Sequence, residues 1–274
     1  MTQNLHTHTT FCDGKNTPEE MVQSAISLGM DSLGFSGHAP MSGPNGDWTM
    51  DESDIPQYRA EVLRLRGKYS NQIEIFLGLE QDFDSTPQIE PWDYVIGSVH
   101  QVQKGDAWLP VDASAEDFVR AVEQHYAGDY FSFAEDYYRR VGEIVDRTGC
   151  QIVGHFDLIT KFDEGDKIFD TGHSRYVSAA LEALDRLAEQ DVIFEINTGA
   201  ISRGYRSAPY PSPTLLRAMR ERDIPICITS DSHSAAAILH AFPQAAELAW
   251  TCGYREQMVL TRRGFVPTPL KRGL

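Results

Sequence analysis

The stretch IPICITSDSH, residues 224–233, reads as a buried strand that ends in chemistry. Apolar and β-branched residues run together, then give way to small and ionisable side chains. The same plan recurs along the chain in NLHTH (4–8), DSLGFSGH (31–38), IEIFLGLE (73–80), YVIGSVH (94–100), CQIVGHFD (150–157) and VIFEINT (192–198). Each run is of strand length, rich in β-formers and bounded by turn or helix signals, which predicts seven strands. Helical patterns separate them, so the sheet is expected to be parallel. Seven units without a central break favour an α/β barrel over two open sheets. A closing hairpin or an eighth strand is expected within REQMVLTRRGFV (255–266).

The helix punctuation supports this alternation. In TPEEMVQSAISLG, Thr17 is placed as N-cap, Pro18 at the first helical position, Glu20 completing a capping box and Gly29 as the stop. A second helix starts at Ser114 and ends by Gly128. Further helical patterns cover roughly 56–69, 135–148, 173–190 and 213–222, and one over 234–251 is interrupted or kinked at Pro243. No internal repeat or linker divides the chain, so residues 1–274 are expected to form a single domain. The 39–55 and 101–133 stretches are long enough to act as lids.

Composition narrows the function. The 274 residues are 41% hydrophobic and 23% charged, ample for one core. No run approaches the roughly 18 apolar residues of a membrane span, and the N-terminus lacks the basic and apolar regions of a signal peptide. Cys12, Cys150, Cys227 and Cys252 show no metal or redox spacing, and a reducing cytoplasm is the expected location. The formal net charge of −16 argues against long nucleic acid or an anionic membrane as partner. An anionic substrate would therefore need local positive charge, which bound divalent cations could supply.

The strand ends carry the specific signal. They gather His6 and His8, then His38, Glu80, His100, His155, and finally Asp231 with His233; Asp13 lies in the loop after the first strand. In a parallel barrel these ends converge on one rim, and residues two apart on a strand point to the same side. Strand ends cover very roughly a tenth of such a barrel, so chance would put about one of nine histidines there. Six are there. His125, His173 and His240 fall in helical patterns and are read as structural. Six imidazoles and three carboxylates exceed the needs of one zinc and suit two or three metals with a bridging carboxylate. Clustered cations can place a hydroxide nucleophile and hold anionic oxygens against it, which is the chemistry of phosphoester hydrolysis.

LHTHTTFCDG, GFSGHAP, FLGLE, GSVH, GHFDLITKF, EINTGA and ITSDSH together resemble the polymerase and histidinol phosphatase (PHP) family of metal-dependent phosphoesterases over nearly the whole chain. The resemblance implies a distorted (β/α)7, TIM-like barrel with a trinuclear site at the C-terminal ends of the strands. It places His6, His8, Glu80 and Asp231 on one metal. Bridging Glu80 with His100 and His155 would hold the second, and Asp13, His38 and His233 the third. Zinc, manganese or iron would suit such a set. Size and motif context are most similar to the free-standing histidinol-phosphatases, which implies a small phosphorylated metabolite, L-histidinol phosphate, as substrate. Glu80, Asp231 and His233 are then the expected catalytic residues. Two basic side chains would assist with the phosphate: Arg203, and Lys161 where the family pattern leads one to expect an arginine. Arg206 is the other nearby candidate.

The substrate's amine and imidazole call for a carboxylate in the pocket, for which Asp47, Asp51 and Glu52 near Trp48 are the candidates. Asn197 is expected to orient a ligand or the phosphate loop, whereas Glu195 is assigned no role and could point outward to face a helix. The chemistry also admits another phosphomonoester, a cyclic phosphate or a nucleotide. An amidohydrolase-type metal hydrolase and a non-catalytic metal-binding module are the more distant alternatives.

Overall fold

A computed structural model describes residues 1–41 and 48–271, so Asp47 lies outside the described residues. The chain begins with β1 (Gln3–Asn4), α1 (Pro18–Ser27), β2 (Ser32–Phe35), α2 (Ile55–Lys68), β3 (Glu74–Asp82) and β4 (Tyr94–Ser98). A hairpin of β5 (Gln101–Lys104) and β6 (Ala107–Pro110) follows, then α3 (Ala115–His125), α4 (Tyr130–Gly142), α5 (Ile144–Thr148) and β7 (Ile152–Val153). The remaining elements are α6 (Ser174–Ala188), β8 (Ile193–Asn197), α7 (Gly199–Ser202), α8 (Pro213–Glu221), β9 (Ile226–Thr229), α9 (Phe242–Thr251), β10 (Glu256–Thr261) and β11 (Gly264–Pro269).

Seven strands form one parallel sheet in the order β1-β2-β3-β4-β7-β8-β9, which is the predicted set. The sheet curls until the segments beyond β1 and β9 meet. His8 N donates to Ser232 O at 2.8 Å and Ser232 N to His6 O at 3.1 Å. The result is a distorted (β/α)7 barrel. Its interior is filled by Leu5, Phe76, Tyr94, Ile96, Ile152, Ile193 and Cys227, all buried. The Tyr94 hydroxyl reaches the carbonyls of Leu5 and Phe35 across the barrel. Two glycines make room for that ring: a Cβ on Gly78 would lie 2.3 Å from it, and one on Gly34 would lie 2.4 Å from its hydroxyl.

The C-terminal segment is an antiparallel hairpin, β10 with β11, and not an eighth barrel strand. It covers the N-terminal end of the barrel, where Gln3 and Leu260 exchange hydrogen bonds at 2.9 and 2.8 Å. That leaves the opposite end as the open one.

The capping box of α1 forms as expected, with Glu20 N donating to Thr17 Oγ1 and Thr17 N to Glu20 Oε2. Two helix expectations are corrected. The 135–148 pattern is split at Glu143 into α4, which starts earlier at Tyr130, and α5. Pro243 does not kink a helix; it sits in the first turn of α9, where its missing N–H has no partner to lose. His240 consequently lies in the turn before α9, and His173 is the N-cap of α6.

Candidate metal and substrate site

The nine residues singled out by the sequence converge at the open end of the barrel. Glu80 stands at their centre, fully buried near the end of β3, and its two oxygens face different neighbours. Oε2 lies 3.0 Å from His6 Nε2, 3.4 Å from His8 Nε2 and 2.9 Å from His38 Nδ1. Oε1 lies 3.2 Å from His155 Nε2 and 3.7 Å from His100 Nε2. Asp231 Oδ1 is 3.2 Å from His8 Nε2, and Asp13 Oδ2 is 3.1 Å from His233 Nε2. Three overlapping donor groups result: His6, His8 and Asp231; His8, Asp13, His38 and His233; and His38, Glu80 and His100. His38 and His8 thus each stand between two groups, a sharing that sequence spacing alone does not reveal.

Local backbone geometry puts these groups in place. His6 and His8 alternate with Thr7, which faces away and donates to Gly34 O, so both rings enter the barrel with centroids 5.2 Å apart. Asp231 follows β9 in the left-handed region at φ +45°, a turn that aspartate tolerates better than most residues. Gly199, at the start of α7, leaves the space for it. A Cβ there would lie 2.8 Å from Asp231 Oδ2 and 3.0 Å from Arg203 Nη2.

Partners behind the imidazoles set their orientation. His6 Nδ1 lies 2.8 Å from Glu195, and His100 Nδ1 lies 2.9 Å from Asp82, so each ring can donate there and turn its Nε2 lone pair inward. His8 Nδ1 sits 3.5 Å from Cys12 Sγ. His233 Nδ1 lies 3.0 Å from the Asp231 carbonyl. Glu195 therefore does not point outward to a helix. It is fully buried inside the barrel, accepting from His155 N, Asn197 Nδ2 and Thr229 Oγ1 as well as from His6. Asn197 acts through it and accepts from Gly199 N. A lone glutamate in the apolar run VIFEINT was the signal available in the sequence.

The donor chemistry fits divalent cations. Buried His6 Nε2, His8 Nε2 and Glu80 Oε2 have no hydrogen-bond partner among the described residues, an expense that bound ions would offset. Burial opposes charge on Glu80, but His6 and His38 hold its pKa well below the usual carboxylate range. For Asp231 burial is likewise outweighed, here by Arg203 and His6. Charged carboxylates beside imidazole lone pairs suit zinc, manganese or iron.

Above the donors lies a cavity of about 560 Å³, lined by Asp13, His38, His100, His155, Asp231 and His233 on its floor. Trp48, Trp108 and Tyr205 line it too, with Lys161, Arg203 and Asp112. Arg203 Nη1 reaches the Asp231 carbonyl at 3.1 Å, and Nη2 donates to Asp231 Oδ2 at 2.9 Å. Lys161 Nζ donates to the carbonyl and carboxylate of Asp112 at 2.8 and 3.1 Å. Arg206 is outside the cavity lining and donates to Thr160 O and Oγ1. Asp51 and Glu52 are exposed and do not line the cavity either, although Trp48 from the same loop does.

A seven-stranded parallel barrel with this donor cluster at its open end defines a metal-dependent phosphoesterase. The chain belongs to the PHP domain family, whose domain matches residues 4–199. It is 32% identical to the "Probable histidinol-phosphatase" of Deinococcus radiodurans, over 88% of this chain and 90% of that protein. It is 26% identical to the "Histidinol-phosphatase" of Bacillus subtilis, over 86% of this chain and 95% of the relative. The solved structure of the Lactococcus lactis histidinol phosphate phosphatase, in complex with zinc, L-histidinol and phosphate, superposes with a TM-score of 0.70. That match covers 97% of this chain and 98% of the other at 21% identity, and shows the shared fold.

Proposed function

We propose that the protein hydrolyses L-histidinol phosphate to L-histidinol and inorganic phosphate. It does so with two or three divalent cations held by His6, His8, Asp13, His38, Glu80, His100, His155, Asp231 and His233. The observation that carries this reading is the convergence of six imidazoles and three carboxylates beneath one cavity that also holds Lys161 and Arg203. The named activity of the Deinococcus and Bacillus relatives supplies the substrate.

When bound, the cations offset the charge of the phosphate and lower the pKa of water, the two needs of phosphoester hydrolysis. The chain's own residues supply positioning. Glu80 presents one oxygen to His6, His8 and His38 and the other to His100 and His155, so it would help to hold ions on both sides of the cluster. Arg203 ties down Asp231 and keeps a cationic group facing the phosphate. Lys161 contributes a second positive charge, as a point charge without the fork geometry of arginine. Trp48 and Trp108 shield the reacting centre from bulk water. The substrate takes up water across its P–O bond, and the alcohol leaves with a proton.

Residues 1–274 are read as one domain, because the hairpin at the barrel base packs on the sheet and the helices pack on the sheet, on the β5–β6 hairpin or on one another around it. The four cysteines are free thiols, which supports a reducing compartment such as the cytoplasm. No helix among the described residues is long and apolar enough to cross a membrane.

The test is phosphate release from L-histidinol phosphate and a panel of phosphomonoesters after reconstitution with Zn²⁺ or Mn²⁺. A kcat/KM for histidinol phosphate in the range of about 10⁴–10⁸ M⁻¹s⁻¹, well above every other substrate, is expected. Weak, indiscriminate turnover would remove the substrate assignment.

A further inference from the structure

We propose that Asp112 is the carboxylate that recognises a cationic leaving group, in a cavity whose lining also includes the aromatic rings of Trp48 and Trp108. The inference rests on the reading of this cavity as a phosphomonoesterase site and names the residue that selects its substrate. Among the described residues, three carboxylates line the cavity: Asp13, Asp112 and Asp231. Asp13 and Asp231 face the imidazoles of the donor cluster. That leaves Asp112, two residues past β6 and only partly exposed, as the one negative group directed at the rest of a bound molecule.

Its present contacts support the assignment. Asp112 Oδ2 and its carbonyl are taken by Lys161 Nζ, whereas Oδ1 carries no hydrogen bond among the described residues. Lys161 and Asp112 therefore stand side by side on the cavity wall as a fixed dipole. A substrate with a phosphate at one end and an ammonium or imidazolium at the other is the reverse dipole. It satisfies Lys161 with phosphate and Asp112 with its cation. Trp48 and Trp108 add aromatic surface, against which a cation or a flat imidazole packs favourably. A neutral leaving group makes none of these contacts and leaves Asp112 with Lys161 alone. Two of the three acids expected for this task, Asp51 and Glu52, face solvent instead, and among the described residues of their loop Trp48 is the one that lines the cavity.

The experiment compares wild type with Asp112→Asn in the metal-loaded enzyme on L-histidinol phosphate, ethanolamine phosphate and 4-nitrophenyl phosphate. Asparagine keeps the shape and can still accept from Lys161 while removing the charge. A charge-assisted hydrogen bond lost in this way predicts a fall in kcat/KM of about 10- to 100-fold for the cationic substrates. Turnover of 4-nitrophenyl phosphate should change by less than about threefold, since its leaving group makes no charged contact with Asp112 and the asparagine still accepts from Lys161. The retained neutral activity also reports that the variant is folded. L-Histidinol binding by calorimetry should weaken in parallel.

Equal losses on all three substrates, or no loss on any, would overturn the proposal. The first would reduce Asp112 to a support for Lys161. A wild type that prefers ethanolamine phosphate, with Asp112→Asn abolishing the preference, would keep Asp112 as the selector and discard histidinol phosphate as substrate. A wild type that shows no preference for cationic leaving groups would overturn the proposal without any variant.

Discussion

Glu195→Gln is the change with the most computable consequence. The carboxylate is fully buried and receives four donors: His155 N at 2.6 Å and Asn197 Nδ2 at 2.7 Å on Oε1, and His6 Nδ1 at 2.8 Å and Thr229 Oγ1 at 2.7 Å on Oε2. Glutamine has one acceptor oxygen and one NH2. Turned toward the Oε1 side, the NH2 meets two obligatory donors, His155 N and Asn197 Nδ2. It therefore turns to the Oε2 side, where Thr229 Oγ1 rotates to accept and His6 Nδ1 keeps a bond only by giving up its proton. Each of the four bonds then falls from the roughly 1.5–3 kcal/mol of a charged acceptor to the roughly 0.5–1.5 kcal/mol of a neutral one, so the metal-free fold should lose roughly 3–5 kcal/mol. At this chain length that lowers the melting temperature by roughly 6–10 °C. His6 also loses the partner that keeps its Nδ1 protonated and its Nε2 turned inward, which predicts metal affinity weaker by about 10- to 100-fold. Differential scanning of metal-free protein reads the first effect, and a chelator titration of zinc content reads the second. Superposed chelator curves for wild type and variant would refute the claim that Glu195 orients His6. A melting temperature within about 2 °C of wild type would refute the weight given to these four bonds.

Gly199→Ala should lower kcat by at least about tenfold, because the atoms nearest the new Cβ belong to Asp231, at 2.8 Å, and Arg203, at 3.0 Å, both lining the cavity; unchanged kcat would show that these two side chains yield freely. Tyr94→Phe removes the hydroxyl that spans the barrel to Leu5 and Phe35, and urea unfolding should report a loss of about 1–3 kcal/mol. Asp129 caps α4 and pairs with Arg175. Burial works against its charge, but bonds from Ser132 and Arg175 outweigh that and lower its pKa to about 2. A depressed carboxylate stabilises the fold fully above its unfolded pKa, near 4, and this contribution is lost as pH falls through 2. Asp129→Asn should therefore melt lower than wild type at pH 7, with the gap closing between about pH 4 and 2; a gap that is constant with pH would contradict this.

Strand positions were legible because each apolar run is short and six of the seven close on an ionisable residue, two independent signals that coincide at the same place. The donor cluster was legible for the same reason. Glu195 escaped because a strand of a closed parallel barrel is buried on both faces, so apolar periodicity does not distinguish inward from outward positions. In β8 the outward positions are Phe194 and Ile196, packed in the helical core, which forces Glu195 and Asn197 inward. Asp112 escaped for a different reason. It lies in a connection after a hairpin, 49 residues from its partner Lys161, and no local pattern encodes such a pairing. Pro243 misled because the same residue breaks a helix in its interior and favours one at its start. Only the left-handed Ala241 before it decides which applies.

The electrostatics of the site connect these observations to the acidity of the whole chain. Asp13, Glu80, Asp231 and Glu195 all have pKa values shifted downward despite the burial that opposes charge on each, with histidine neighbours tipping the balance and Arg203 adding to it at Asp231. Four carboxylates therefore stay ionised in one small volume, against one arginine and a lysine already neutralised by Asp112. A phosphate dianion approaching that volume alone would be repelled, and the net charge of −16 would offer no relief at longer range. Divalent cations reverse the sign locally, two or three of them carrying as much charge as the carboxylates or more. Anion binding at this mouth is thus conditional on metal occupancy. By linkage, bound phosphate must tighten the hold on the metals by the same factor. The acidic cluster that gathers the cations and the cationic mouth that receives the substrate are then two states of one site, and which state the protein presents depends on how many of the nine donors are engaged.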